Sequence, residues 1–151
     1  MADRFFDTNA VAKHYRVEIG TTTVDGFLAE VGSRHFISHL SVVELHSVFA
    51  RLARTGQLSA ADFHLARGRL LADIAAGLWQ VVSVTATHFQ QAQQLLVLHG
   101  LTHSLRTLDA LQLAVALLPG TSPVNAFVCA DANLCSIAVA AGLTVVNPEV
   151  P

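Results

Sequence analysis

Four acidic residues stand out in this 151-residue chain by position rather than by number. Asp7 directly follows the apolar run Arg4–Phe6, and Glu44 lies in the first turn of the helical pattern that follows His35–Ser38. Asp109 stands near the start of another helical stretch, and Asp131 follows the run Asn125–Ala130. Carboxylates gathered at one place repel and raise one another's pKa values unless a cation sits among them. Oxygen donors without His or Cys partners favour Mg²⁺ or Mn²⁺. Such a cluster can activate water and stabilise the charge of an in-line phosphoryl displacement. Each acid also has a plain structural reading. Asp7 and Asp131 could be helix N-caps. Ser41-Val42-Val43-Glu44 is a capping-box pattern, with Glu44 bonding back to the Ser41 amide. Asp109 could complement a helix dipole.

The elements that must position these acids follow from hydrophobic spacing. Arg4–Phe6, His35–Ser38, Trp79–Val84, Asn125–Ala130 and Leu143–Val146 each fit a short buried strand. Between them, Val42, Leu45, Phe49 and Leu52 repeat at helical spacing, as do Phe89, Ala92, Leu95 and Leu96, then Leu108, Leu111, Gln112 and Val115. Gly56, Gly77, Gly100 and Gly142 fall where helices would stop. Ser41 to Gly77 predicts two helices, a hairpin around Thr55-Gly56, and Thr85 to Leu118 predicts two more. Strands alternating with helices imply parallel strands joined by right-handed crossovers. In such a sheet strands end and helices begin at the same edge, so all four acids belong at the carboxyl edge, where α/β sheets place ligands.

Composition narrows the function classes. Hydrophobic residues make up 52% and charged residues 13%, which excludes a disordered chain. The length fits a single domain over residues 1–151. No apolar run approaches the ~20 residues of a membrane-spanning helix, so no membrane association is expected. The start MADRFFDTNA lacks the pattern of a signal peptide. Cys129 and Cys135 are too few for a disulfide framework, which fits a reducing cytoplasm. Nine basic residues against eleven acidic give −2, so a nucleic-acid contact must come from a local patch or a metal.

At this point the sequence resembles a known family. FFDTNAVAKHY, ISHLSVVEL, SLRTLDALQLAVAL and FVCADANLCSIAVAAGLTVVNPE resemble, in order, the four acidic motifs of PIN-domain proteins, from about residue 4 to residue 149. Most similar are the VapC-like toxins of bacterial type II toxin–antitoxin modules. The resemblance implies a three-layer α/β/α PIN-like domain with a mainly parallel five-stranded sheet. It implies a Mg²⁺-dependent ribonuclease, with Mn²⁺ as a substitute, held inactive by a VapB-like antitoxin. Carried over by position, the acidic site is Asp7, Glu44, Asp109 and Asp131, with Asp7 and Asp109 as direct metal ligands. Thr8 matches the family's Ser/Thr beside the first Asp, and Asn133 stands where some relatives carry a further acid. The high apolar fraction leads to the expectation of a homodimer.

Eight of the nine basic residues are Arg. Lys13 and Arg16 follow the first Asp by two turns, toward a substrate groove. Arg51 and Arg54, with Arg67 and Arg69, fall in the helical hairpin and suit RNA phosphates or an acidic antitoxin segment. Arg106 precedes Asp109 by three residues and shares its helix face if the helix has begun. Cys129 and Trp79 read as core residues. Two alternatives are a catalytically weak PIN-fold binding module and a haloacid-dehalogenase-type phosphatase. The phosphatase needs an Asp where Asn9 stands and a lysine at the site, and the only lysine is Lys13.

Overall fold

Adjacent pairs of large apolar residues build the strands. Phe5-Phe6, Phe36-Ile37 and Phe127-Val128 point to opposite faces, and all six are buried, as a sheet covered on both sides requires. The computed structural model describes residues 1–120 and 122–150. Its strands β1 (Asp3–Phe6), β2 (Arg34–Ser38), β3 (Gln80–Val82), β4 (Ala126–Val128) and β5 (Val145–Val146) form one all-parallel sheet in the order β3-β2-β1-β4-β5. Helices α1 (Thr8–Tyr15), α2 (Thr21–Leu28), α3 (His39–Arg54) and α4 (Ala60–Ala75) pack on the face of Phe6, Ile37 and Val128. Helices α5 (Ala86–His99), α6 (Thr107–Leu117) and α7 (Ala132–Ala140) pack on the face of Phe5, Phe36 and Phe127. This is the expected three-layer α/β/α arrangement. No helix among the described residues is long and apolar enough to cross a membrane.

The chain moves outward from β1 to β2 and β3, then returns through α5 and α6 to β4 on the other side of β1. The order therefore reverses between β1 and β4, the kind of switch point that leaves a crevice at the carboxyl edge. The two expected double-helix connections appear where the spacing puts them, with Gly56 at φ 74° in the α3–α4 turn, and a third, α1 with α2, joins β1 to β2. Strands β3, β4 and β5 are shorter than their apolar runs, whereas β1 and β2 each begin one residue earlier. Trp79 precedes β3 and is buried by packing rather than by strand pairing. Helix α2 was not visible as a periodic stretch: three threonines and Gly26 make it a weak helix former. It starts at Gly20, φ 91°, where a Cβ would meet the Pro148 carbonyl oxygen at 3.0 Å. Only glycine lets the C-terminal segment lie that close.

Candidate active site

Three of the four acids sit at helix starts. Asp7 is the N-cap of α1 and accepts from the Asn9 amide at 3.3 Å; Asp131 is the N-cap of α7 and accepts from the Leu134 amide at 2.9 Å. Asp109 lies in the first turn of α6 and is held by the Arg106 backbone. Glu44 differs from its expected capping role. Ser38 caps α3 by accepting from the Ser41 amide at 3.0 Å, so the helix begins earlier and Glu44 falls in its second turn. The capping-box reading of Ser41 and Glu44 is thereby replaced, and the Glu44 carboxylate is turned to other work.

That work is shared with a residue the chemical motifs did not single out. Gln112, only 1% exposed, donates through Nε2 to Glu44 Oε1 at 2.9 Å. The same nitrogen lies 3.0 Å from Thr8 Oγ1 and 2.7 Å from Ser41 Oγ, and Ser38 Oγ donates to Gln112 Oε1 at 2.6 Å. Thr8 also donates to Ser41 Oγ at 3.1 Å. One signal was available: a polar residue in the apolar phase of α6, at a position that must be buried.

The acids influence one another. Burial, then the nearby charges of Glu44 and Asp109, push the Asp7 carboxyl up to about 7, against two backbone hydrogen bonds that lower it. Burial raises Glu44, with Asp109 adding to it, against hydrogen bonds from Gln112 and Thr8 that lower it. Burial also raises Asp109, with Asp131 adding and the Arg106 charge opposing. Among the described residues no Lys or Arg forms an ion pair with any of the four. No three His, Cys, Asp or Glu side chains among them converge as a finished metal shell. The donor chemistry still fits a hard divalent cation: every ligand candidate is a carboxylate oxygen, and Asp7, 5% exposed, lies near like charges.

Beside the acids, a cavity of about 360 Å³ runs between α1 and α3. Asn9 and Asp131 line it, as do Phe49, Arg16 and Arg51. Lys13 reaches the groove with its charge already committed. It lines the cavity but is 3% exposed, and its Nζ is committed to Glu149 Oε1 at 2.5 Å, the Ile19 carbonyl at 2.8 Å and Glu18 Oε1 at 3.2 Å. Its charge is neutralised by a residue from the far end of the chain, which helical spacing could not reveal. Arg16 donates to Gln57 Oε1 at 3.1 Å; Arg54 is exposed and lies outside the cavity lining. Arg106 does act on Asp109, by charge. Asn133 points elsewhere: its Nδ2 donates to the Ser104 carbonyl at 2.9 Å, pinning α7 to the loop ahead of α6. Burial raises the Cys129 thiol, which marks it as an inert core residue.

A family model for the PIN domain matches residues 4–146. The chain belongs to the PIN-domain family. Comparison with characterised protein sequences finds no match. Among solved structures, this PIN domain is similar to FitAcB from Neisseria gonorrhoeae, with a TM-score of 0.69 at 18% identity over 98% of this chain and 99% of the other. It is similar to VapC20 of Mycobacterium tuberculosis, a sarcin-ricin-loop-cleaving toxin, with a TM-score of 0.66 at 22% identity over 97% and 98%. A toxin–antitoxin complex from Klebsiella pneumoniae matches with a TM-score of 0.61 at 16% identity over 96% and 97%. At these identities the likeness is one of fold.

Asp109 offers a direct contest between helix start and site within this PIN domain. As a mere dipole partner, its replacement by Asn would cost a few tenths to ~1 kcal/mol. In a crowd of carboxylates, removing one charge relieves repulsion instead. We expect Asp109→Asn to melt higher than wild type in EDTA, and Mn²⁺ to stabilise wild type more than the mutant. A mutant melting lower in EDTA, with equal metal stabilisation of both proteins, returns Asp109 to an ordinary helix start.

Proposed function

We propose that this chain, a single PIN domain, is a divalent-metal-dependent ribonuclease and the toxin of a VapBC-type toxin–antitoxin pair. One observation carries the reading: four carboxylates stand at the carboxyl edge of the sheet, around its switch point, with Asp7 buried and raised to about 7 beside acidic neighbours. Asp7 and Asp109 would hold Mg²⁺ or Mn²⁺ directly, with Glu44 and Asp131 completing the shell. The ion, when bound, supplies an activated water and stabilisation of the leaving oxygen of an RNA phosphodiester.

The chain's own residues support this chemistry in definite ways. Asp7, Asp109 and Asp131 are oriented by the backbone of their helix starts, and Glu44 by a side chain. Arg16 and Arg51 line the neighbouring cavity and suit RNA phosphates. No side-chain nucleophile is required, since Thr8, Ser38 and Ser41 are occupied with one another and with Gln112. A VapB-like antitoxin laid along the same groove would block the acids, and the cytoplasm is where such a pair would work. A homodimer is proposed on exposed apolar side chains that include Val43, Phe89, Val97 and Leu98; sedimentation showing only monomer at micromolar concentration would count against it. The phosphatase alternative loses its lysine, because Lys13 is committed to Glu149. The binding-module alternative leaves the retained four acids without a task.

The deciding assay is RNA cleavage by the purified chain. Cleavage is expected with Mg²⁺ or Mn²⁺, none in EDTA, and none once a cognate VapB-like antitoxin is added. Cleavage that persists in EDTA would remove the metal from the reading. No cleavage of any RNA, with divalent ions failing to shift the melting temperature, would favour the binding module.

A further inference from the structure

We infer that Gln112 is a positioning residue that orients the Glu44 carboxylate for the metal through a buried polar network spanning α1, β2, α3 and α6. The inference rests on the nuclease reading above and concerns how that site is kept in register. Each aspartate of the site borrows a backbone N–H or backbone contact from its own helix start. Glu44 cannot. It lies in the second turn of α3, where the backbone amides already serve the helix. Its side chain has several rotatable bonds and lies near other carboxylates, so it needs a donor from another element to stay in one place.

Gln112 meets this need in a particular way. It lies one turn beyond Asp109 on α6, so one helix face presents both a candidate ligand and the donor to another. The direction of its amide is set by its surroundings. Ser38 Oγ accepts from the Ser41 amide and spends its own proton on Gln112 Oε1. The Nε2 end must then face Glu44 Oε1, an oxygen that only accepts when ionised. Thr8 and Ser41 fill the remaining space around Nε2 and fix the amide plane. The donor is neutral. An Arg or Lys in its place would hold Glu44 as firmly but would compete with a cation for its charge. An amide orients the carboxylate and leaves that charge available.

The test compares three proteins of full length: wild type, Gln112→Met and Val115→Ala. Met keeps the volume and removes the N–H, while the three hydroxyls can still bond one another. Val115 is fully buried on the same helix, in the apolar cluster with Phe5 and Phe127, and its side chain makes none of the network's hydrogen bonds, so its truncation controls for lost stability. Three readouts are taken: melting temperature, Mn²⁺ affinity from the metal-dependent melting shift, and kcat and KM for RNA. We expect Gln112→Met to lose roughly 10–100-fold in Mn²⁺ affinity and in kcat, the range typical of residues that hold metal ligands, with KM little changed. Val115→Ala is expected to melt lower and to keep both. Should Gln112→Met not fold, Gln112→Asn withdraws the amide from Glu44 by one methylene and is judged by the same criteria. Gln112 variants with wild-type Mn²⁺ affinity and kcat per folded molecule would overturn the inference and leave the nuclease reading standing. A wild type that neither binds Mn²⁺ nor cleaves RNA would overturn the nuclease reading itself.

Discussion

Replacing Asp7 by Asn is expected to abolish RNA cleavage and, in the absence of metal, to stabilise the protein. The two effects share one cause. Asp7 is 5% exposed, and burial together with Glu44 and Asp109 raises its carboxyl to about 7, against about 3.9 in an unfolded chain. The fold therefore favours the protonated form. As pH rises from about 4 to about 7 the unfolded state releases this proton before the folded state does, so stability falls across that window and the full penalty is present above it. Asn mimics the neutral acid and serves equally well as an N-cap of α1. At pH 8 in EDTA the mutant is expected to melt higher, by up to ~4 kcal/mol for a shift of this size. At pH 4 the two proteins should melt nearly together. Losing a direct metal ligand should cost more than the roughly 10–100-fold typical of outer partners, and Mn²⁺ should no longer stabilise the mutant. Cleavage by Asp7→Asn at the wild-type rate would remove Asp7 from the site. A mutant melting lower at pH 8 would show that its charge stabilises the fold.

The second large effect lies at the opposite end of α1 from Asp7. Trp79 is 1% exposed, packs edge-on against Phe6 at 5.2 Å between ring centroids, and donates its indole N–H to the Tyr15 hydroxyl at 2.8 Å. Tyr15 in turn donates to Asp73 of α4 at 2.7 Å, and burial, then Asp73, push its phenol well above the usual range so that it remains a donor. Trp79 thus ties the end of the helix that Asp7 begins to α4 and β3. Trp79→Ala should cost about 3–5 kcal/mol, the range for emptying a buried aromatic site, and lower the melting temperature by on the order of 10 °C. Trp79→Phe keeps most of the packing and loses the hydrogen bond, for roughly 1–3 kcal/mol. Chemical denaturation of both variants measures this. A loss below about 1 kcal/mol for Trp79→Ala would mean that the site collapses around the missing ring and that the tie is dispensable.

Several features of this PIN domain are local, and these were legible along the chain. Apolar pairs such as Phe5-Phe6 and Phe127-Val128 mark strands buried on both faces, because alternate side chains of a strand face opposite ways. Glycines and caps mark helix ends for equally local reasons. Alternation of the two element types then leaves a parallel sheet, and an acid just after a strand must lie at its carboxyl edge. Asp7 and Asp131 came from that logic, and Glu44 and Asp109 from its counterpart, that helices begin at the same edge, together with the order of motifs. The strand order β3-β2-β1-β4-β5, by contrast, depends on where each crossover returns. The partners of the polar side chains depend on it too. Glu44 and Gln112 are 68 residues apart, and Lys13 and Glu149 are 136 apart. No spacing rule relates such pairs. The sheet and its crossovers bring them together, and each bond forms because a polar group buried there must find a partner. So the acids could be placed at one edge from the chain alone. That Gln112 holds Glu44, that Ser38 rather than Ser41 caps α3, and that Lys13 lines the groove with its charge bound to Glu149 were decided only when the helices and the C-terminal segment packed together.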